Sequence, residues 1–324
     1  MTAEFDVVGI GNALVDVIVQ RDDGFLRSEG LEKGSMALID TERAVSLYSA
    51  MGPGIEMSGG SAANTMTGVA SFGGTACYIG KVTHDDLGDA FAHDLRAMGV
   101  AFALAPGAHD MPTGRSLIVV TPDAQRTMST YLGVSSLLGS HDVDPAVVAS
   151  GRVLYMEGYL WDRDEAKEAY RKAAGIAHDA GRLVSLSLSD SFCVDRHRAD
   201  FRRLVTDEVD LLFGNEDELL SLYEVTDFAD AVRHVRADCR MAAVTRGATG
   251  SIIITADDLI SVAAEPVAAV VDTTGAGDLY AAGFLFGLTR ERPLGECGRL
   301  GSIAAAEVIS HVGARPSVPL HRLA

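Results

Sequence analysis

The run Asp272-Thr273-Thr274-Gly275-Ala276-Gly277-Asp278 sets two glycines and a carboxylate at what reads as the junction of a turn and a helix. Before it, the apolar run Val267 to Val271 predicts a buried strand. After it, Leu279 to Leu288 is long enough for a helix. Gly275 and Gly277 let the backbone turn tightly and let a ligand approach without meeting a Cβ. The free N–H groups of the helix's first turn, Ala276 among them, act with the helix dipole as an anion site. Asp278 in that turn is either a dipole-favoured cap or a general base standing beside an anion hole, the arrangement phosphoryl transfer needs.

Four further stretches could serve the same chemistry. Gly214-Asn215-Glu216-Asp217-Glu218 opens a helix at a strand end. Asn215 and Glu218, three apart and on one face, are a capping pair or a grip on the waters of Mg²⁺, which prefers oxygen and keeps much of its hydration. Thr245-Arg246-Gly247-Ala248-Thr249-Gly250 is a plain turn or one wall of a nucleotide site. His311 to Ser317 follows a helix over 294–310, whose last carbonyls are either C-capped or free to coordinate a cation. Ser58-Gly59-Gly60-Ser61-Ala62-Ala63-Asn64 opens an amphipathic helix running to Phe72. Its small residues permit close backbone approach, and Asn64 could satisfy its own helix end.

Two other glycine signals fail. Gly9-Ile10-Gly11-Asn12 half-matches a dinucleotide fingerprint, but Leu14 takes the third glycine position and a strand-like alternation follows it. Gly80-Lys81-Val82 lacks the register of a P-loop and the Ser or Thr after Lys81.

The chain has 324 residues, a formal net charge of −18 and 48% hydrophobic residues, enough for one large α/β domain with or without a small one. Such acidity disfavours nucleic acid and anionic membrane as partners, so a phosphate must be held locally. Cys77, Cys193, Cys239 and Cys297 are dispersed and read as buried free thiols. No basic leader and no membrane-length apolar run is present, which predicts a cytoplasmic protein.

The elements that position these residues alternate. Strands are expected at 5–10, 13–19, 36–39, 75–79 and 101–104. Helices are expected from a Thr41 cap to about residue 50 and over 87–98. A hairpin, 113–121 and 126–132, turns at Pro122 to Gln125. From Arg152 strands 152–156, 183–188, 210–213, 241–245 and 251–255 interleave with helices 164–180, 198–206, 215–222 and 228–238. The fold class is α/β, a doubly wound, mostly parallel sheet flanked by helices. Residues 1–13, 41–110 and 134–324 make the main domain. Residues 14–40 and 111–133 make a small β lid.

In these segments, and over essentially the whole length, the sequence resembles the ribokinase-like PfkB family of carbohydrate and nucleoside kinases. Gly59-Gly60 to Gly73-Gly74 resembles the family's N-terminal signature and Asp272 to Asp278 its C-terminal one. Asn215 to Glu218 resembles its NxxE motif and Gly313-Ala314-Arg315-Pro316-Ser317 its C-terminal loop. The resemblance implies ATP-dependent phosphorylation of a primary alcohol. Asp278 is then the base, and the N–H groups of Gly275, Ala276 and Gly277 the anion hole. Asp16, Gly60 and Asn64 hold sugar hydroxyls. Asn215 and Glu218 organise Mg²⁺ and phosphate, and Thr245, Gly247 and Gly250 line the ATP site. Asp272, Thr274, Val308, His311, Gly313 and Ser317 match a monovalent-cation site, with K⁺ as the expected ion.

Gln125 to Gly133 and Glu157-Gly158-Tyr159-Leu160-Trp161 resemble the adenosine-kinase-like branch. Arg126 could swing onto phosphates, and Tyr131, Tyr159 and Trp161 could offer a face to a purine. A ribonucleoside, adenosine first, is the expected acceptor. A free sugar such as ribose or fructose is the alternative, and a non-catalytic binding protein or a dinucleotide oxidoreductase is remoter. A monomer and a homodimer paired through a lid edge are both compatible with the sequence.

Overall fold

The computed structural model describes residues 3–104, 110–123 and 125–324. Ala124, in the expected hairpin turn, and residues 105–109, before the expected domain boundary, lie outside the described residues. In chain order the strands are β1 (Phe5–Ile10), β2 (Leu14–Gln20), β3 (Met36–Leu38), β4 (Ile55–Gly59), β5 (Ala76–Gly80), β6 (Val100–Leu104), β7 (Gly114–Val120), β8 (Arg126–Tyr131), β9 (Gly151–Glu157), β10 (Leu183–Ser187), β11 (Leu211–Asn215), β12 (Met241–Thr245), β13 (Ser251–Thr255) and β14 (Leu259–Val262). The helices are α1 (Asp23–Ser28), α2 (Thr41–Met51), α3 (Ser61–Ser71), α4 (Asp86–Ala97), α5 (Pro145–Ala149), α6 (Asp164–Asp179), α7 (Ser191–Asp207), α8 (Glu216–Tyr223), α9 (Phe228–Asp238), α10 (Ala276–Thr289) and α11 (Leu294–Val308).

Nine strands form one sheet in the order β14-β13-β12-β11-β10-β9-β1-β5-β6, parallel from β12 to β6 and antiparallel at the β12–β13–β14 edge. All but the first residue of β1 is buried, because helices cover both faces and no side of the strand meets water. One core packs α6, α7 and α9 on one face, and the other packs α3, α10 and α11 on the opposite face.

The second sheet has the order β3-β8-β7-β2-β4. Its outer face packs Val17, Val19, Leu117 and Val119 against Leu26 of α1 and Leu47 and Met51 of α2. Its inner face follows from a period of two. Asp16 pairs with Ser116, Ser116 with Thr130, and Thr130 with Leu38, so these four form one row across the sheet.

Several expectations need correction. Residues 267–271 form no strand, and Val270 and Val271 are 48% and 36% exposed. No sheet edge is offered to them; instead the N–H groups of Val271 and Asp272 donate to the carbonyl of Ile309 beyond α11. β4 and β14 are strands beyond those expected from the sequence. The cap of α2 is Asp40, which accepts from the Arg43 N–H, rather than Thr41. α7 starts at Ser191, seven residues early, because Asp190 caps it and a non-helical His197 kinks it where the sequence suggested a start. α3 is not amphipathic: only Ala70 and Ser71 of its residues escape full burial, since it lies between the sheet and α10. The cysteines are free and buried, as read.

Candidate active site

A cavity of about 610 Å³ lies between the two sheets. The turn Thr273–Gly277, the end of β11, the start of α3 and the inner face of the second sheet close it. Gly275 is the N-cap of α10, with φ 78°. A Cβ there would sit 2.7 Å from Ala314 Cβ, so the turn is packed against the C-terminal loop as well as left-handed. At Gly277 the opposite holds: a Cβ would meet no atom within 4 Å. Protein packing therefore does not demand that glycine, which suits a position where a ligand approaches.

Asp278 is the third residue of α10 and does not cap its own helix. Its Oδ1 accepts from Ser61 Oγ at 2.6 Å and its Oδ2 from Asn64 Nδ2 at 2.8 Å. α3 and α10 come close enough for this because Gly68 faces Ala282 and Leu279, where a Cβ would stand 2.5 Å from Ala282 Cβ. Asn64 thus serves the neighbouring helix, and its buried Oδ1 has no partner among the described residues. Asp278 is half-buried by surface, yet it sits on the floor of a deep cavity. Burial raises its carboxyl above the usual range, against the lowering effect of the Ser61 and Asn64 bonds and of Arg126 and Arg315.

Asp16, on β2 of the inner face, is 5% exposed and lines the cavity, and its carboxylate has no hydrogen-bond partner among the described residues. Burial pushes its carboxyl up to about 7, partly offset by Arg315. Gly60, with φ 90°, is held for a structural reason: a Cβ would lie 2.2 Å from the Asn12 carbonyl oxygen. Glu157, quoted only within a longer segment, proves central. Its carboxylate accepts from the Asn12 N–H at 2.7 Å, Asn12 Nδ2 at 3.0 Å and the Ala62 N–H at 2.8 Å. It ties the ends of β1 and β9 to the start of α3, and burial lifts it to about 7.

At the far end, Asn215 and Glu218 form a capping box: Asn215 Oδ1 accepts from the Glu218 N–H, and Glu218 accepts from the Asn215 N–H and Nδ2. The capping reading is therefore correct for both, and both still line the cavity. Burial pushes Glu218 to about 7. Thr245 and Gly247 line the cavity as well. Gly250 does not, being packed where a Cβ would meet the Val262 carbonyl oxygen at 2.0 Å. Arg246, missed in the sequence, joins that turn to α8 through two bonds to Glu216, at 2.7 and 3.1 Å. Arg126 also lines the cavity and donates to the Thr273 carbonyl at 3.3 Å.

Of the three rings expected at the acceptor, only Tyr159 lines the cavity, and Phe213 and Tyr280, not singled out in the sequence, line it too. Trp161 is 1% exposed and packs on Tyr170 and Phe201 in the core, and Tyr131 is buried outside the lining. Alternation around a strand end cannot tell a cavity-facing ring from a core-facing one.

The expected cation-loop residues split into two groups. Asp272, fully buried, accepts from the Thr274 N–H and Oγ1 and from the Gly313 N–H. His311 and Ser317 turn instead to Glu307 Oε1, a residue not singled out in the sequence, while Val308 is buried at the end of α11. Among the described residues no cluster of three or more His, Cys, Asp or Glu could hold a metal, and no helix is long and apolar enough to cross a membrane.

A cavity between a doubly wound sheet and a small β-sheet, with a glycine turn capping a helix that carries a carboxylate, defines a sugar- or nucleoside-phosphorylating kinase. The model of the pfkB family carbohydrate kinases matches residues 54–320, and the chain belongs to that family. It is 52% identical to the crystal structure of adenosine kinase from Sinorhizobium meliloti, with TM-score 0.96 over 99% of this chain and 98% of that one. It is 50% identical to a probable sugar kinase protein from Rhizobium etli, with TM-score 0.96 over 100% of this chain and 98% of that one. It is 28% identical over 280 residues to probable fructokinase-6 of Arabidopsis thaliana, covering 81% of this chain and 72% of that one. The fold is ribokinase-like, the chain is a kinase, and the family implies ATP as its phosphoryl donor.

Proposed function

We propose that this kinase transfers the γ-phosphoryl group of ATP to the primary alcohol of a ribonucleoside, adenosine first. The carrying observation is the inner face of the small sheet. There the unpartnered carboxylate of Asp16 adjoins an apolar wall of Leu14, Met36, Leu38, Ile118 and Met128. Asp16 suits two vicinal hydroxyls. The wall is apolar, with nothing to pair a free sugar's further hydroxyls, and suits a flat base. Similarity to the adenosine kinase of Sinorhizobium meliloti supports the same acceptor. A free sugar is the second reading, favoured by the relation to the Arabidopsis fructokinase.

In this reading Asp16, Gly60 and Asn64 hold the sugar, with the free Oδ1 of Asn64 accepting from a hydroxyl. Tyr159 flanks the acceptor. Asp278 takes the alcohol proton. The new bond joins the alcohol oxygen to phosphorus, the bond to the ADP oxygen breaks, and ADP leaves with the electron pair. An alcohol is about as weak an acid as water, pKa ~15.7, and a carboxylate near ~4 cannot ionise it in advance. Burial narrows that gap, and Asp278 receives the proton late, as the bond to phosphorus forms. The remaining barrier falls through alignment and through the N–H groups of Gly275, Ala276 and Gly277. Arg126, bound among the described residues to the Thr273 carbonyl, can turn to the phosphates.

Asn215, Thr245, Gly247 and Gly250 belong to the ATP end, Gly250 by shaping the turn. Mg²⁺ fits a single buried carboxylate at the cavity wall, because it takes phosphate oxygens and water for most of its shell. Glu218 with Asn215 would hold it, and the ion would neutralise phosphate charge. A monovalent cation, K⁺, is proposed at Asp272, Thr274, Val308, His311, Gly313 and Ser317. Residues 14–40 and 111–133 act as the lid and the remainder as the main domain, so that closure excludes water and ATP is not hydrolysed.

The test is ATP consumption by the purified protein, with Mg²⁺ and K⁺ or Na⁺, against adenosine, other nucleosides, ribose, fructose and phosphorylated sugars. Turnover on adenosine above all others is expected. Turnover on a sugar alone would overturn the acceptor and keep the kinase mechanism, and equal rates in K⁺ and Na⁺ would remove the monovalent site.

A further inference from the structure

Arg315 lies in the C-terminal loop, 6% exposed, and reaches under the start of α3. Its Nε donates to the Ser58 carbonyl at 2.9 Å, its Nη1 to the Ala63 carbonyl at 2.7 Å and to Thr67 Oγ1, and its Nη2 to Ser58 Oγ at 3.1 Å. All four acceptors are uncharged. Burying a cation without a carboxylate against it is costly, and apolar packing would hold the same elements together at less expense. Structure alone does not account for a guanidinium here.

Its neighbours do. Ser58 precedes Gly59, against whose backbone the Asp16 carboxylate rests: a Cβ on Gly59 would fall 2.2 Å from that carboxylate. Ala63 precedes Asn64, and Ser61 lies two residues back, so the bonded segment carries both donors to Asp278. We propose that Arg315 is a positioning residue for phosphoryl transfer, a fixed cation that holds the first two turns of α3 and keeps Asp16 and Asp278 charged for their work. The inference rests on the kinase roles given to those two carboxylates and is independent of the acceptor.

The electrostatics agree in sign. The Arg315 guanidinium is cationic at neutral pH, and the titratable groups facing it are Asp16, Asp278, Asp94 and the neutral phenol of Tyr78. Asp16 is faced by Arg315 and Arg126, which favour its ionised form, and by Asp278 and Asp272, which oppose it. Asp278 is faced by Arg126 and Arg315, with Ser61 and Asn64 bonded to it, and Glu157 shares its field. Arg126 is half-buried on β8 and held by one bond to the Thr273 carbonyl. Arg315 is the cation whose place does not depend on closure.

The experiment compares Arg315→Gln, which loses the charge and keeps one NH₂ group, with Arg315→Lys, which keeps charge and loses the planar fork. Both are followed as kcat and KM from pH 6 to 9.5, beside Asp278→Asn. For Arg315→Gln the acid limb of kcat/KM is expected to move up by about one pH unit. Its deficit is then about tenfold larger at pH 6.5 than at pH 9. Arg315→Lys is expected to restore the limb and stay within about tenfold of the parent rate. A deficit in Arg315→Gln that is the same at every pH would overturn the proposal in favour of a purely mechanical strut. Should Arg315→Gln fail to fold, Arg315→Lys decides: a folded protein that loses over a hundredfold with an unshifted limb also overturns it. If Asp278→Asn keeps full activity, the fault lies in the roles assigned to the carboxylates.

Discussion

Replacing Asp278 by Asn separates a catalytic carboxylate from a structural one, because the structure fixes what the amide would meet. Asp278 now accepts one bond on each oxygen, from Ser61 and Asn64. An Asn side chain keeps one acceptor, which Ser61 Oγ can still reach. Its new NH₂ would face the Asn64 NH₂, and that clash is relieved by a flip of the Asn64 amide, whose Oδ1 is at present unpartnered. Both bonds can therefore be re-formed, each worth about 1 kcal/mol. The variant also sheds a carboxylate that burial has made costly to ionise. Net stability should change by no more than about 1 kcal/mol, or about 1.5 °C in Tm for a chain of this size. kcat, in contrast, should fall about 10²- to 10⁴-fold, the range for a positioned proton acceptor. KM for the acceptor and for ATP should move by only a few-fold. The assay is steady-state ADP formation, with thermal unfolding of the same preparation as control. A kcat within tenfold of the parent would refute the base role. A large loss accompanied by a Tm lower by ten degrees would mean that Asp278 acts through the fold.

Asp16, near 7 through burial, should make kcat/KM rise with pH, about tenfold from pH 6 to 8 as the carboxylate ionises; Asp16→Asn should raise the acceptor KM and remove that contribution, and a profile identical to the parent's would contradict it. Asp16, Glu157 and Glu218 all have folded values near 7, above those of free carboxylates. Each therefore stabilises the protonated fold, and that stability is lost as pH rises through 7, by about 1.4 kcal/mol per group between pH 6 and 8. Calorimetry of the ligand-free protein should accordingly give a higher Tm at pH 6 than at pH 8; the reverse order would mean these groups are solvated. Trp161→Ala should cost about 3–5 kcal/mol in denaturant unfolding and leave the nucleoside KM of the folded enzyme unchanged. A KM raised tenfold would restore the ring to the acceptor site.

The local chemistry was legible because it is carried by short contiguous runs. Gly275 to Asp278 had to make a tight turn into a helix with a carboxylate in its first turn, since backbone freedom and helix-end N–H groups are properties of neighbours in the chain. The alternating strands and helices after Arg152 likewise announce a parallel sheet, and the period of two in 14–20 and 114–120 announces a second one. What the sequence could not contain is which remote groups meet. Whether Asp278 caps its own helix or takes its bonds from α3 depends on the closeness that Gly68 permits to Ala282. Asn215 and Glu218 did turn out to cap, and Trp161 and Gly250 to serve packing, because a side chain's direction is settled by what it is pressed against. Val267 to Val271 has strand composition and no strand, for want of an edge to pair with. Glu157 and Arg315 show the limit most clearly: each is one unremarkable letter until folding removes the water around it. Only then does burial turn a carboxylate and a guanidinium into the groups that fix the start of α3.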